Sequence, residues 1–149
     1  MQALRYVKKT GDQSWIASAA LANVTGMSFR VEAGLYYAFH WKVVYQSDTL
    51  TTGIQIALTH PGATIFAATG KTIVAVDGVA AEYVGAMTAS DDPVTSTDVV
   101  AVNTDYIFEV IGCIVPSAAG ALQLRAAGEV AAGTVKVRRG SVGELHMLS

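Results

Sequence analysis

Residues 35–46 read LYYAFHWKVVYQ, and the alternation of their side chains predicts an extended strand. One side of that strand carries only apolar and aromatic residues: Leu35, Tyr37, Phe39, Trp41, Val43 and Tyr45. The other side includes Tyr36, Ala38, His40 and Val44. One side can fill the core of a monomer, so the apolar residues of the other side need a second partner. That partner is either another sheet or another copy of the chain.

Residues 104–115, TDYIFEVIGCIV, repeat this pattern. One side would carry Tyr106, Phe108, Val110 and Ile114, and the other Ile107, Ile111, Cys113 and Val115. Two long strands that are apolar on both sides indicate a two-sheet barrel or sandwich, one sheet of which also forms an oligomer interface. The residues expected at that interface are Tyr36, His40, Val44, Ile107 and Ile111.

The composition favours an all-β chain with a single domain. The 149 residues include 19 Val, 14 Thr and 8 Ile, and only 15% are charged, which is typical of pleated, half-buried surfaces. About ten short strands, separated by turn residues and by long connections, predict a jelly-roll-like sandwich over residues 1–149. Within it, residues 1–26 would form an N-terminal arm and the first edge strands.

Turn signals divide the rest of the chain. Short strands are expected at 63–68, 72–76 and 81–87, with Asp77 and Gly78 as the turn between the last two. Residues 88–98 read as a polar loop, and residues 15–22 and 27–31 as two early strands. We expect no membrane span, because no apolar run approaches about 20 residues.

The net charge of −2 is unevenly distributed. Between Lys71 and Arg125 lie seven acidic residues and no basic one. This separation predicts that an acidic face meets a basic face on a neighbouring subunit or partner. Near the N-terminus a small basic and aromatic set, expected to dock on an acidic surface, comprises Arg5, Tyr6, Lys8, Lys9 and Trp15. Three cations are too few to predict nucleic-acid binding.

Chemical motifs give no prediction of an enzyme or of a cofactor. The three histidines, His40, His60 and His146, are far apart and have no cysteine or histidine partner at metal-ligand spacing. A serine elbow around Ser141 would need a glycine where Arg139 stands. The loop with Asp91, Asp92 and Asp98 leaves calcium binding open, although it lacks the glycine and the terminal glutamate of an EF-hand.

The succession of segments resembles a jelly-roll module that is common in tailed-phage virion proteins. The shared features are a Thr-x-Asp at Thr10 and Asp12, the strand pair over residues 29–45, a strand ending in PGA at residues 61–63, and a turn at Gly140 and Ser141. The resemblance covers almost the whole chain, and its motifs are structural and loose.

This resemblance implies a homotrimeric structural protein of the virion, assembled in the host cytoplasm. One form is a head decoration (cement) protein that binds the major capsid protein and stabilises the shell. The alternative is a receptor-binding tip or adaptor domain of a tail fibre. No collagen-like repeat, heptad stalk or shaft precedes the module, which favours the decoration trimer, although a piece of a longer fibre would look the same.

Overall fold

The computed structural model describes residues 3–76 and 78–148, apart from the side chain of Val76. These residues form twelve β-strands and no helix, so the expected all-β class is confirmed. The strands are β1 (Ala3–Lys8), β2 (Gln13–Ile16), β3 (Ala22–Val31), β4 (Tyr37–Ser47), β5 (Ile54–Thr59), β6 (Ala63–Val76), β7 (Val79–Met87), β8 (Val94–Thr95), β9 (Tyr106–Pro116), β10 (Gly120–Gly128), β11 (Thr134–Val137) and β12 (Val142–Met147). In the part of the chain so described, no helix has the length and hydropathy needed to cross a membrane.

The strands form two antiparallel sheets. The first has the order β1-β12-β4-β9-β6-β7, with β11 also beside β4 and β2 beside β11. The second has the order β3-β10-β5-β8. Apart from the β6–β7 hairpin, the chain crosses between the sheets at each step from β2 to β5 and from β8 to β11, which is the alternation of a jelly roll. The β6–β7 hairpin is inserted between β5 and β8 and widens the first sheet.

The core lies between the two sheets, and the predicted inner rows of β4 and β9 form the centre of the first sheet's contribution to it. The inner residues of β4 from Tyr37 to Tyr45 are buried, and so are Phe108 and Val110 of β9. Leu35 is only half-buried because β4 begins at Tyr37. Full burial of such a side chain contributes about 1.5–3 kcal/mol relative to exposure, so these rows supply much of the driving force for folding.

One expected strand break is absent, because residues 63–76 form the single strand β6. Gly70, which lies between the two strands expected at 63–68 and 72–76, instead pairs with Val110 inside the ladder. A Cβ atom at Gly70 would lie 2.9 Å from Cε1 of Phe108. Glycine at this position therefore makes room for a core ring and does not end the strand.

Two other expected boundaries also differ. β2 ends before Ala17, which has a φ of 46°, and β3 begins at residue 22 and not at 27. The expected polar loop 88–98 contains the two-residue strand β8, which pairs with β5. Next to it, Oγ of Ser96 accepts a hydrogen bond from the amide of Ile54 at 2.9 Å. So short a strand has too few residues to show an alternating pattern.

The hairpin turn was expected at Asp77 and Gly78, and Asp77 lies outside the described residues. On either side of it Val76 pairs with Val79, which confirms the pairing of the two strands. Gly78 has a φ of 82°, a conformation that favours glycine.

The N-terminal segment is an edge strand and not a free arm. β1 pairs along its whole length with β12, and the amide of Lys9 continues the ladder to the carbonyl of Ser141 at 2.8 Å. At the bend that follows, the carboxylate of Asp12 accepts hydrogen bonds from the amide of Arg139 and from Nη1 of Arg138, both at 2.8 Å. The first of these is the main cause that lowers the pKa of Asp12.

Candidate interaction surface

The first sheet has an outer face that no other part of the described chain covers with a second sheet. We use "outer face" for the side chains of β1, β12, β4, β9, β6 and β7 that point away from the core. Its central rows follow directly from the strand register. One row runs Tyr6, Glu144, His40, Ile111, Thr69, Ala86, and the next runs Lys8, Val142, Lys42, Glu109, Lys71, Val84.

Large apolar side chains are exposed across this face. Ile107 is 54% exposed, Ile111 49% and Val84 60%. They come from β9 and β7, which lie on either side of β6 in the sheet. A soluble monomer rarely exposes a contiguous apolar patch of more than a few hundred Å², and larger patches mark interaction sites.

Charged residues cross the face in a band that is paired within the chain. Nζ of Lys71 lies 3.5 Å from Oε1 of Glu82, and Lys42 stands directly opposite Glu109 in the ladder. Nε2 of His40 lies 3.0 Å from Oε2 of Glu109, which makes an ion pair when the imidazole is protonated. Because opposite charges are already paired within the chain, a partner that covers this band would not bury a large excess of positive or negative charge.

The five residues predicted at an oligomer interface all lie on this side of the sheet. Val44 pairs with Ile107 and His40 with Ile111, so these four form two cross-strand pairs, one on each side of the Lys42–Glu109 pair. The fifth, Tyr36, immediately precedes β4, and a hydrogen bond with the Cys113 thiol is the main cause that raises its pKa. The structure thus brings together residues that are up to 75 positions apart in the chain.

A shallow groove of about 630 Å³ opens on the same side of the sheet. Small residues from three strands, Ala38, Ala67 and Ala86, lie along it, with Ile111 and Phe66 beside them. Small side chains between larger ones leave a depression that a protruding apolar side chain of a partner can fill.

The five residues predicted to dock on an acidic partner do not form one surface. Trp15 lies in the core, and Lys9 is buried with Nζ donating to the carbonyl of Thr25 at 3.0 Å. Burial is the main cause that lowers the pKa of Lys9. Both side chains therefore serve the fold of the single chain.

The other three predicted docking residues, Arg5, Tyr6 and Lys8, are exposed on β1. Arg5 donates from Nη2 to the carbonyl of Arg30 at 2.6 Å, on the side facing β3. Tyr6 and Lys8 lie on the outer face, and Tyr6 is 65% exposed. Of the predicted set, these two lie on the same surface as the interface residues.

The acidic loop directs its carboxylates to different partners. Asp92 accepts hydrogen bonds from Thr88, Asp98 accepts one from the hydroxyl of Tyr83, and Oδ1 of Asp91 lies 3.3 Å from Nε of Arg125. Within residues 3–76 and 78–148, no group of three or more His, Cys, Asp or Glu side chains is placed to hold a metal ion.

Sequence reasoning missed the exposed edge formed by β7. Its sequence, VAAEYVGAM, has one charged residue and no proline, and it ends the first sheet. That composition was visible in the sequence, but its position at an edge depends on which strands pair. Strand order was not available from alternation alone.

Comparisons with known proteins find similarity among solved structures. No protein-family model matches the chain, and no curated protein matches it. Among solved structures it is similar to the infectious bursal disease virus Gx strain, with 11% identity and a TM-score of 0.26 over 98% of this chain and 39% of that chain. It is also similar to T=1 particles derived from that virus, with 12% identity and a TM-score of 0.30 over 99% of this chain and 40% of that chain. The chain therefore spans about two fifths of their length.

Proposed function

We propose that this protein is a non-enzymatic structural component of a tailed-phage virion, a homotrimer that binds the major capsid protein and stabilises the head shell. The observation that carries the proposal is the outer face, where Ile107, Ile111 and Val84 are exposed together on one sheet. The resemblance of the sequence to phage jelly-roll modules supplies the class of assembly.

The outer face is large enough for an interface between subunits. Six strands spaced about 4.8 Å apart span about 24 Å, and the eleven residues of β4 extend about 33 Å, which gives a face of about 800 Å². A specific interface of standard size buries about 800 Å² on each partner. Packing this face around a three-fold axis would cover Val44, His40 and their partners on β9.

Multivalency would let a trimer bind the capsid tightly through weak individual contacts. A rigid trimer presents three copies of each docking surface to neighbouring capsid subunits, so dissociation requires all three to release together. Such a trimer binds the assembled shell and not free subunits, and its binding free energy is therefore added to the stability of the shell. The exposed basic edge of β1, with Arg5, Tyr6 and Lys8, is suited to an acidic partner surface within the virion.

Two measurements test the proposal. Light scattering should report a mass three times 15.5 kDa, and a monomer at micromolar concentration would contradict the trimer. Co-sedimentation with undecorated capsids should show binding that weakens as salt rises, because exposed charge pairs are screened over about 8–10 Å at physiological ionic strength. A trimer that ignores capsids but binds a host-cell surface would instead support the tip of a tail fibre.

A further inference from the structure

The first sheet ends in two edge strands of opposite character. β7 is nine residues long, has Glu82 as its single charge, and exposes Val79 and Val84. β1, at the other end, carries Arg5 and Lys8 and exposes Leu4 and Tyr6. Natural edge strands are commonly protected by lysine, proline, bulges or a covering segment. β7 has no lysine and no proline, so it is the less protected edge.

The backbone groups that are free to pair can be assigned on both edges. On β1, the amide of Lys9 donates to the carbonyl of Ser141. Residues in an antiparallel ladder alternate in the direction of their hydrogen bonds. Val7 and Arg5 therefore also face β12, and the backbone groups of Leu4, Tyr6 and Lys8 point away from the sheet.

On β7, the closing pair of the hairpin determines which backbone groups are free. Val76 and Val79 pair across a two-residue connection, and in such a hairpin the closing pair is hydrogen-bonded. Every second residue from Val79 onward then bonds to β6. The residues with free backbone groups are Ala80, Glu82, Val84 and Ala86, and their side chains lie on the outer face, as do those of Leu4, Tyr6 and Lys8.

We propose that β7 of one copy pairs with β1 of the neighbouring copy as an antiparallel strand, with Tyr6 opposite Val84. This inference rests on the proposed homotrimer. It makes Glu82 of a neighbouring copy the acidic partner of the basic edge strand β1. Successive strands from β1 to β7 across the sheet alternate in direction, so β1 of a second copy placed beside β7, with the same face outward, is antiparallel to it.

Side-chain chemistry selects this register. With Tyr6 opposite Val84, Lys8 lies opposite Glu82 and Leu4 opposite Ala86, which gives an aromatic and β-branched pair, an ion pair and an apolar pair. A shift by two residues in one direction puts Lys8 opposite Val84. A shift in the other direction puts Tyr6 opposite Glu82. Both shifts lose the ion pair and place a charge opposite an apolar or aromatic side chain.

The contact is head-to-tail, because different strands meet on the two copies. Repeated around a three-fold axis, such a contact closes into a ring, and without closure it gives an open filament. In the ring, the outer faces turn toward the axis and face one another. The edge contact and the outer face thus belong to one continuous interface.

Disulfide trapping tests the pairing. In a Cys113→Ser background, Tyr6→Cys and Val84→Cys are combined in one chain and oxidised, and non-reducing electrophoresis should show a covalent trimer. The Cα atoms of a hydrogen-bonded antiparallel pair lie about 5.5 Å apart, within the range that a disulfide spans. The matched control, Tyr6→Cys with Ala80→Cys, moves one thiol two pairs along the strand and should not cross-link.

The outcomes separate this inference from the proposed function. A trimer by light scattering without a covalent product would overturn the edge pairing and leave the homotrimer standing. A monomer would overturn both. Covalent dimers from Val84→Cys alone would show two-fold pairing of β7 with itself, which contradicts the head-to-tail contact, whereas a covalent ladder would support the edge contact and contradict the closed ring.

Charge exchange gives a second readout. Glu82→Lys should weaken association by about twofold to fivefold per contact, as expected for one cross-strand ion pair. Because Glu82 also contacts Lys71 within its own chain, this loss alone is not diagnostic. Adding Lys8→Glu should restore association, and failure of the double variant to do so would contradict the Lys8–Glu82 register.

Discussion

The two rows of side chains on β4 and β9 come from the same strands, yet they differ in what covers them. The inner row, with Trp41, Val43 and Phe108, is fully buried against the second sheet of the same chain. The outer row, with Ile107 and Ile111, is about half exposed. Alternation along a strand identifies both rows, but only the tertiary fold decides which of them the chain itself can cover. We expect substitutions in the inner row to act on folding and those in the outer row to act on assembly.

Phe108 and Ile107 are consecutive residues of β9, one in the inner row and one in the outer row. Phe108→Ala should lower the free energy of unfolding by about 3–5 kcal/mol, because it leaves a cavity in the core. Ile107→Ala removes a side chain that is 54% exposed and should cost less than about 1 kcal/mol in a dissociated chain. Urea denaturation of both variants at low protein concentration checks the difference. Equal losses would show that the outer row is also part of the monomer core.

A charge placed in the outer row should break assembly without unfolding the chain. Val44→Asp would bury an unpaired carboxylate between copies, which should weaken association by about 3 kcal/mol or more, over a hundredfold in the dissociation constant. Light scattering should then report 15.5 kDa with an unchanged circular dichroism spectrum. The control Leu50→Asp introduces the same charge at an exposed position in the turn after β4 and should leave the mass unchanged. A trimer that survives Val44→Asp would place the interface elsewhere.

The rows should also differ in their tolerance of added volume. Gly143 of β12 lies against Trp41, and a Cβ atom there would come within 2.4 Å of Cζ3 of the indole ring. Gly143→Ala should therefore lower the free energy of unfolding by about 1–3 kcal/mol through overpacking.

Ala67→Val, at an exposed position beside the outer groove, provides the comparison and should change the free energy of unfolding by less than about 0.5 kcal/mol. Thermal unfolding of both variants at a dissociating concentration measures the contrast. A neutral Gly143→Ala would mean that the inner face is less tightly packed than the register implies.

Sequence reasoning reached the fold class and the two rows because both follow from local alternation and composition. It misplaced the break at Gly70, because a glycine that accommodates Phe108 looks the same in sequence as a glycine that makes a turn. It grouped Lys9 and Trp15 with Tyr6, because alternation around the bend after β1 does not show which side chains turn inward. The edge position of β7 depends on pairings between residues distant in the chain, and no local pattern encodes them.

The smallest expected effect on the free energy of unfolding comes from the bend between β1 and β2. The exposed carboxylate of Asp12 stabilises this bend through hydrogen bonds and an ion pair. Asp12 accepts the amide of Arg139 and contacts Arg138, and these interactions lower its pKa in the folded chain. A lowered pKa gives stability that is present above the unfolded value of about 3.9 and is lost as the pH falls through the folded value. Asp12→Asn should therefore cost about 1 kcal/mol or less at neutral pH, since the site is partly exposed.

The acid dependence distinguishes this effect from a general loss of stability. The difference in free energy of unfolding between the original chain and Asp12→Asn should shrink as the pH falls below about 4, because the carboxyl of the original chain then becomes neutral as well. Glu129→Gln, in the loop after β10, removes the same charge away from the bend and serves as the control. Denaturation curves at several pH values measure both differences. If the Asp12→Asn difference stays constant down to acid pH, the carboxylate contributes through its shape and not through its charge.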